Sequence, residues 1–281
     1  MMAITTATIQ ALRIKTDAGM MDCKRALEEV GGDMDAAVKI LREKGIAKAA
    51  KRVDRVANEG LVKIVVAGNS ASMLELTSET DFVSRSEKFN VLAQEAISFL
   101  VKEQSADRDA FILAKNSQGK TIQDSIDELA AILGEKLELG RVVTLHAKAS
   151  DAIGYYLHSN NKIGVLLVVE NGAGQDELVK DICMHIAAAN PSVIGIADVS
   201  SADVAKEKEI LRQQVINEGK PEAIADKIVE GKIRKYYEEV CLLEQTFVKD
   251  PEKKIKDVVD AAVKASGKAL KIATFVRFNI G

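Results

Sequence analysis

The sequence predicts an α+β fold, with three N-terminal helices, a core of two similar hairpin-plus-helix subdomains and an antiparallel helical hairpin. Three observations support this fold class. Short amphipathic stretches with capping residues fill the first fifty residues, two later stretches each pass from strand to turn, strand and helix patterns, and a long charged amphipathic stretch follows residue 200. With 281 residues, of which 47% are hydrophobic, the chain can bury the cores of one to three domains.

Three short helices are predicted in the first fifty residues. Thr5 or Thr6 can cap the first helix and Asp22 the second, because their side-chain oxygens can accept hydrogen bonds from the free amides of a first turn. Asp33, which follows a turn of two glycines, can cap the third helix. Residues 47–56 are rich in lysine, arginine and alanine, and they predict a helical linker with a solvated basic face.

Two adjacent methionines, Met20 and Met21, lie between the first two predicted helices. Neighbouring side chains cannot both point into a small helical core, and methionine is flexible and polarisable, so an exposed pair suits a protein-binding surface. The alternative is that one methionine is buried and the other lies at the edge of the core.

The next part of the chain repeats one pattern, a hairpin followed by a helix that covers it. The first copy has strands over 60–66 and 72–76 and a helix from about residue 88, and the second has strands over 153–157 and 163–169 and a helix over 178–186. The two copies differ in the segment that connects the hairpin to the helix. In the first copy this segment is long and polar, residues 77–87, and in the second it is only residues 170–174. A segment present in one copy alone is the better candidate for function.

The long segment contains the stretch Thr80, Asp81, Phe82 and Val83, in which an aromatic ring stands among polar residues. One interpretation is that Phe82 folds back onto its own hairpin, since single apolar residues near loops are common. The other is that Asp81 and Phe82 form a wedge, whose carboxylate competes for cationic or magnesium-bound groups while the ring enters an apolar crevice of a partner.

A helical hairpin and a final strand complete the predicted fold. Ser200 and Asp203 have the spacing of a capping box, Gly219 ends the first helix, and Pro221 can occupy the first turn of a second helix that continues to about Val240. Residues 274–280 alternate between apolar and other side chains and predict a strand. The predicted domains are residues 1–54, residues 55–149, residues 150–199 with 241–281, and the helical hairpin 200–240.

Composition argues against several classes of protein. The net charge is 39 − 42 = −3 and there is no Trp, which disfavours a nucleic-acid-binding protein. Cys23, Cys183 and Cys241 are far apart and form no CxxC pair, and the three histidines form no metal-binding motif, so neither a disulfide framework nor a metal or cofactor site is expected. No membrane helix or secretion signal is recognisable, and a cytoplasmic protein is expected.

Residues 114–121 fit a loose phosphate-loop pattern that ends in Gly119, Lys120 and Thr121. The first glycine of that pattern is replaced by Ala114, and no alternating series of strands and helices surrounds it. A turn between helices, followed by an amphipathic helix over 122–133, is the preferred interpretation.

Several separated segments resemble signature regions of the bacterial translation elongation factor Ts family. They are residues 16–27, 79–83, 181–191, 219–232 and 242–248, in the family's order and over nearly the whole chain. The resemblance implies that the N-terminal helices form a ubiquitin-associated-like domain. It also implies guanine nucleotide exchange on elongation factor Tu in its GDP-bound and nucleotide-free states, without covalent chemistry.

The resemblance also implies roles for individual residues. The motif Thr80, Asp81, Phe82 and Val83 is implied to bind the partner, and Asp81 and Phe82 correspond to residues that intrude near the partner's magnesium and switch region. Further partner contacts are implied for Arg13, Met20, Met21, Arg52 and, in the turn of the second hairpin, His158. Self-association, as a homo-dimer or a two-plus-two complex through the core or the helical hairpin, is compatible with the sequence. An adaptor that binds a partner without nucleotide exchange is the alternative function.

Overall fold

The computed structural model describes residues 4–16, 18–50 and 55–281, which form a mixed α+β fold. The helices are α1 (Thr6–Thr16), α2 (Met20–Glu29), α3 (Met34–Ala50), α4 (Asp81–Ser84), α5 (Glu87–Glu103), α6 (Arg108–Leu113), α7 (Ile122–Leu133), α8 (Asp176–Ala189), α9 (Ser201–Asn217), α10 (Glu222–Val240) and α11 (Ile255–Ser266). The strands are β1 (Glu59–Ala67), β2 (Ser70–Ser78), β3 (Leu137–His146), β4 (Ala152–Leu157), β5 (Ile163–Glu170), β6 (Thr246–Phe247), β7 (Asp250–Lys254) and β8 (Lys271–Asn279).

The first three helices pack around a small core of their own, centred on Leu12 and Leu27. Asp33 caps α3 as predicted, since its Oδ1 accepts from the amides of the second and third following residues at 2.9 and 3.0 Å. The predicted cap at Asp22 is wrong: α2 begins at Met20, so Asp22 lies inside its first turn, where a carboxylate favours the positive end of the helix. The first part of the predicted linker, up to Ala50, belongs to α3. Residues 51–54 lie outside the described part of the chain.

Both hairpins are present, and each belongs to a three-stranded antiparallel sheet, with strand orders β1-β2-β3 and β4-β5-β8. The final strand β8 was predicted, whereas β3 was not. The register of β2 and β3 shifts between Leu74 and Leu76, and Gly140 and Arg141 lie opposite this bulge. The bulge interrupts the apolar alternation of β3, which is why the sequence pattern did not reveal the strand.

The two sheets pack against each other, with helices on their outer faces. The outer face of the first sheet shares a core with α5, α6 and α7, and that of the second with α8 and α11. Between the sheets, Val62 and Met73 meet Leu166 and Phe278. A Cβ on Gly164 would lie 2.6 Å from Val62 Cγ1, so only glycine permits this close approach. Sequence patterns predicted a covering helix for each hairpin but not this contact between sheets.

The predicted helical hairpin is formed by α9 and α10. Ser200 Oγ accepts from the amide of Asp203 at 3.1 Å, and Gly219 has a φ of +77° at the turn. Pro221 precedes α10 as its N-cap instead of lying within its first turn. A small apolar cluster around Val215 joins the two helices, and ion pairs flank it. The short pair β6–β7 and helix α11 were not predicted; β7 shows no alternation of apolar side chains, and its partner strand β6 has only two residues.

A buried carboxylate, Glu75, pairs with Arg141 where β3 of the first sheet meets β8 of the second. Glu75 accepts from Arg141 Nε at 2.9 Å and from the Arg141 amide at 3.1 Å, and its side chain is only 8% exposed. The Arg141 guanidinium lies 4.4 Å from the centroid of the Phe278 ring and donates to Asn279 O at 3.3 Å. Arg141 therefore connects β2 and β3 of the first sheet to β8 of the second.

The substitution Arg141→Ala should lower the free energy of unfolding by about 3 kcal/mol, because it leaves Glu75 buried without its counter-charge. Urea denaturation measures this loss. In a Glu75→Gln protein there is no buried charge for Arg141 to neutralise. There, Arg141→Ala should lower the free energy of unfolding by less than half as much. An equal cost in both backgrounds would show that Arg141 contributes through packing on Phe278 alone.

Candidate partner-binding surface

The long polar segment after β2 forms a single helical turn, α4. The amide of Ser84 donates to Thr80 O at 3.3 Å, and the amide of Arg85 donates to Asp81 O at 3.1 Å. The next helix, α5, begins at once, with Ser86 as its N-cap. The residues of the motif are therefore distributed around a helix, and its two faces differ.

The inner face of α4 is anchored in the first sheet's core. Val83 is buried there, and Ser84 beside it is also buried. Asn90 Nδ2, on α5, donates to the carbonyl of Ser84 at 3.2 Å and to that of Ser86 at 3.0 Å. These bonds satisfy carbonyls that a one-turn helix would otherwise leave without partners.

The outer face of α4 carries Asp81 and Phe82. The Phe82 side chain is 84% exposed, so the interpretation that it folds back onto its own hairpin is wrong. Asp81 Oδ2 lies 3.1 Å from Arg85 Nη2, one turn further on, and both side chains remain accessible to solvent. An exposed pair of this kind contributes little to stability, and it can be exchanged for contacts to another molecule at small cost.

Two glutamates fix the start of α4 against the turn between α7 and β3. The Glu135 carboxylate accepts from Thr80 Oγ1 at 2.6 Å and from the Thr80 amide at 3.1 Å. In the reverse direction, Glu79 Oε1 accepts from the amide of Lys136 at 2.6 Å. Glu79 is also 3.1 Å from Arg55 Nη1. We call Glu79, Thr80, Glu135 and Lys136 the carboxylate clasp.

His158 lies in the turn between β4 and β5, with its Nδ1 3.0 Å from Asn160 Oδ1. This turn reaches the first sheet, since the amide of Val62 donates to the carbonyl of residue 161 at 2.7 Å and Lys162 Nζ lies 2.7 Å from Glu59. Glu59 is paired with Ser78, two residues before Thr80. The His158 turn and α4 therefore lie at the same end of the hairpin β1–β2.

The N-terminal helices present a second apolar surface. Met20 and Met21 are 45% and 61% exposed, so the alternative with one buried methionine is wrong. Arg13 is exposed as well, and Ile14 beside it is 79% exposed. Arg52 lies outside the described residues.

Among the described residues, no direct contact joins Arg13, Met20 or Met21 to α4. Both regions instead pack against α7 or the turn that follows it. Helix α3 lies along α7, and the clasp residue Glu135 follows the end of α7 at Gly134. Sequence reasoning missed Glu135, because it acts on Thr80 over a separation of 55 residues and no local pattern marks it.

The phosphate-loop pattern forms a closed turn. Asn116 Oδ1 accepts from the amides of Gln118 and Lys120 at 3.0 and 3.1 Å, and Lys120 Nζ donates to Glu128 at 2.6 Å. The amides that would cradle a phosphate are thus bound within the turn. Helix α7 follows over the predicted residues, with Thr121 and Asp124 as a capping box.

Two reactive side chains of α8, Cys183 and His185, are buried. His185 Nε2 lies 2.9 Å from Gln245 Oε1, and its Nδ1 accepts from the amide of Val248 at 3.3 Å. Burial lowers the pKa of His185, and burial raises the pKa of the Cys183 thiol far above its usual range. Neither group is poised for proton transfer or nucleophilic attack at neutral pH.

Within the described residues, no group of three or more His, Cys, Asp or Glu side chains is placed to hold a metal ion. None of the helices in the described ranges has the length and apolarity needed to cross a membrane.

The surface is therefore one that fits contact with another protein: an exposed ring and carboxylate on a fixed helical turn, a histidine turn at the same end of the core, and exposed methionines on the N-terminal helices. A comparison with protein families identifies one match, to the model described as Elongation factor TS, over residues 79–281. The match begins at the clasp residue Glu79. It includes α4, strand β3 of the first sheet and all three strands of the second sheet. Because it spans most of the chain, the protein belongs to the elongation factor Ts family, the nucleotide exchange factors of elongation factor Tu in translation elongation.

Proposed function

We propose that this protein accelerates GDP release from elongation factor Tu by inserting Asp81 and Phe82 near the partner's magnesium and phosphate site. The observation that carries the proposal is the exposure of Phe82, at 84%, on a helical turn anchored on its other side. A large apolar side chain held in solvent has a cost, and insertion into a partner's crevice removes that cost. No covalent step, cofactor or resident metal is needed.

The two exposed groups have different tasks in this mechanism. Phe82 occupies an apolar crevice and displaces the backbone or side chains that line it. The Asp81 carboxylate, released from Arg85, competes for groups that bind the magnesium ion or its water ligands. Magnesium neutralises phosphate oxygens, so its displacement removes a strong electrostatic attraction for GDP. Thr80, which donates to Glu135, and Val83, which is buried, hold α4 in place and complete the partner-binding motif.

Reciprocity makes such a factor act catalytically. If the bound factor weakens the binding of GDP to elongation factor Tu about 100-fold, bound GDP weakens the binding of the factor by the same ratio. The factor then binds both the GDP-bound and the nucleotide-free partner, and GTP in excess expels it. The factor needs no nucleotide site of its own, which agrees with the closed turn at residues 114–121.

The remaining predicted contacts surround this wedge. Met20 and Met21, with Arg13 and Arg52, meet the partner's nucleotide-binding domain, and His158 forms a further contact beside α4. Four parts support these contacts: a ubiquitin-associated-like domain with its linker (residues 1–54), two α+β core subdomains (55–149, and 150–199 with 241–281) and the helical hairpin (200–240). The protein works in the cytoplasm without contact to nucleic acid or membrane, as a single copy or as a homo-dimer or two-plus-two complex.

The test is the release of a fluorescent GDP analogue from elongation factor Tu, with and without this protein at micromolar concentration. We expect strong acceleration in the presence of magnesium. When a chelator removes magnesium beforehand, spontaneous GDP release should be faster. The acceleration by this protein should then be smaller, because the chelator has already removed the attraction between magnesium and GDP.

Unchanged release together with a stable complex would instead identify an adaptor. Unchanged release without a complex would refute the partner as well. Acceleration of equal size with and without magnesium would refute the magnesium mechanism while leaving the exchange activity in place.

A further inference from the structure

The orientation of α4 depends on a carboxylate that lies outside the recognised motif. Thr80 is the N-cap residue of α4, yet its side chain makes no capping bond to the helix. Its hydroxyl and its amide both donate to Glu135, at 2.6 and 3.1 Å. A carboxylate that accepts two hydrogen bonds from one residue fixes both the position and the rotation of that residue.

We infer that Glu135 is a positioning residue for nucleotide exchange, which acts through Thr80 and sets the direction in which α4 presents Phe82. This inference rests on the proposed function of α4. The last register pair of β2 and β3 is Ser78 with Leu137, so the ladder ends before α4 begins. Beyond that pair, two backbone amides donate to side-chain carboxylates instead of to the carbonyls of a neighbouring strand. The amide of Thr80 donates to Glu135, and the amide of Lys136 donates to Glu79.

The geometry explains why a carboxylate is needed at position 135. Thr80 offers two donors to the same side chain, and only a carboxylate provides two acceptor oxygens in one plane. Glutamine could accept from the Thr80 amide while its NH2 group donates to the Thr80 hydroxyl, but without the charge that strengthens both bonds, and alanine would provide neither contact. A helix of one turn has few bonds of its own, so its orientation depends on what holds its first residue.

The experiment measures GDP release from elongation factor Tu as a function of the concentration of the full-length variants. In Glu135→Ala the maximal release rate should fall about tenfold, while the half-saturating concentration should change less than about threefold, because the surfaces around Met20 and His158 still bind. Glu135→Gln should lose about threefold in maximal rate, since its hydrogen bonds to Thr80 lack the charge that strengthens those of the carboxylate. The control Glu128→Ala removes a carboxylate from α7 that pairs with Lys120, and it should retain the wild-type rate.

A second measurement separates positioning from general loss of structure. Amide hydrogen exchange should become faster at Ser84 and Arg85, whose amides close the turn of α4, and stay unchanged in the β1–β2 ladder. A wild-type rate in Glu135→Ala, or faster exchange throughout the first sheet, would overturn the inference. If Phe82→Ala also kept the wild-type rate, the proposed function itself would have failed; if only Phe82→Ala were slow, the inference about Glu135 alone would have failed.

Discussion

Replacement of Phe82 by alanine should reduce the maximal acceleration of GDP release about 30-fold and leave the thermal stability of the protein unchanged. The ring is 84% exposed, so its removal opens no cavity in the free protein. In the complex, the same ring is expected to be buried, and full burial of a phenylalanine side chain stabilises by about 2 kcal/mol. A loss of this size in the transition state corresponds to about 30-fold in rate.

A matched control is available on the same subdomain. Leu113, at the end of α6, is 65% exposed, and Leu113→Ala removes a similar exposed apolar side chain away from α4. This variant should exchange nucleotide at the wild-type rate. Equal rates for wild type and Phe82→Ala would contradict the wedge, and a lowered melting temperature in Phe82→Ala would contradict the exposed position of the ring. Asp81→Ala should also slow release, since it removes the competing carboxylate.

The second large effect is on stability: Gly60→Ala should lower the free energy of unfolding by about 4 kcal/mol. Gly60 has a φ of +150°, which L residues rarely adopt. A Cβ at this position would lie 2.3 Å from the carbonyl oxygen of Leu76 and 2.8 Å from Thr77 Cα. Both atoms belong to the backbone of the paired strand β2, so no side-chain rotation can relieve the overlap.

Thermal denaturation followed by circular dichroism measures this effect, and a decrease in melting temperature of about 10 °C is expected. Gly231→Ala provides the control, because this glycine lies within α10 with nothing in the way of a Cβ. There the same substitution should stabilise the helix by up to about 1 kcal/mol. A Gly60→Ala protein as stable as the wild type would show that β1 can shift along β2.

Features encoded within a few neighbouring residues could be predicted from the sequence. Helix α7 was predicted over its full length because its apolar residues recur at helical spacing. The hairpin β1–β2 followed from two apolar runs around a glycine turn. The adjacency of Met20 and Met21 predicted an exposed pair, because two neighbouring side chains cannot share one small core.

Features that depend on distant residues could not be predicted. The contact between the sheets depends on Gly164, which a local pattern only marks as a weak point in a strand. The clasp joins Thr80 to Glu135, a residue that reads as an ordinary polar position after a helix. Periodicity also gave no decision on Phe82, since a single apolar residue in a polar segment is compatible with burial and with exposure.

The packing of the two sheets has a mechanical consequence. Helix α4 is attached to the first sheet and the His158 turn to the second, yet both lie at one end of the core. Strand β5 is buried along most of its length, and Arg141 bridges the sheets, so the spacing between α4 and the His158 turn is set before any encounter. A partner that touches both points must adjust to that spacing. In the proposed mechanism, the work of association is then done on the nucleotide site of the partner and is not lost in bending the exchange factor.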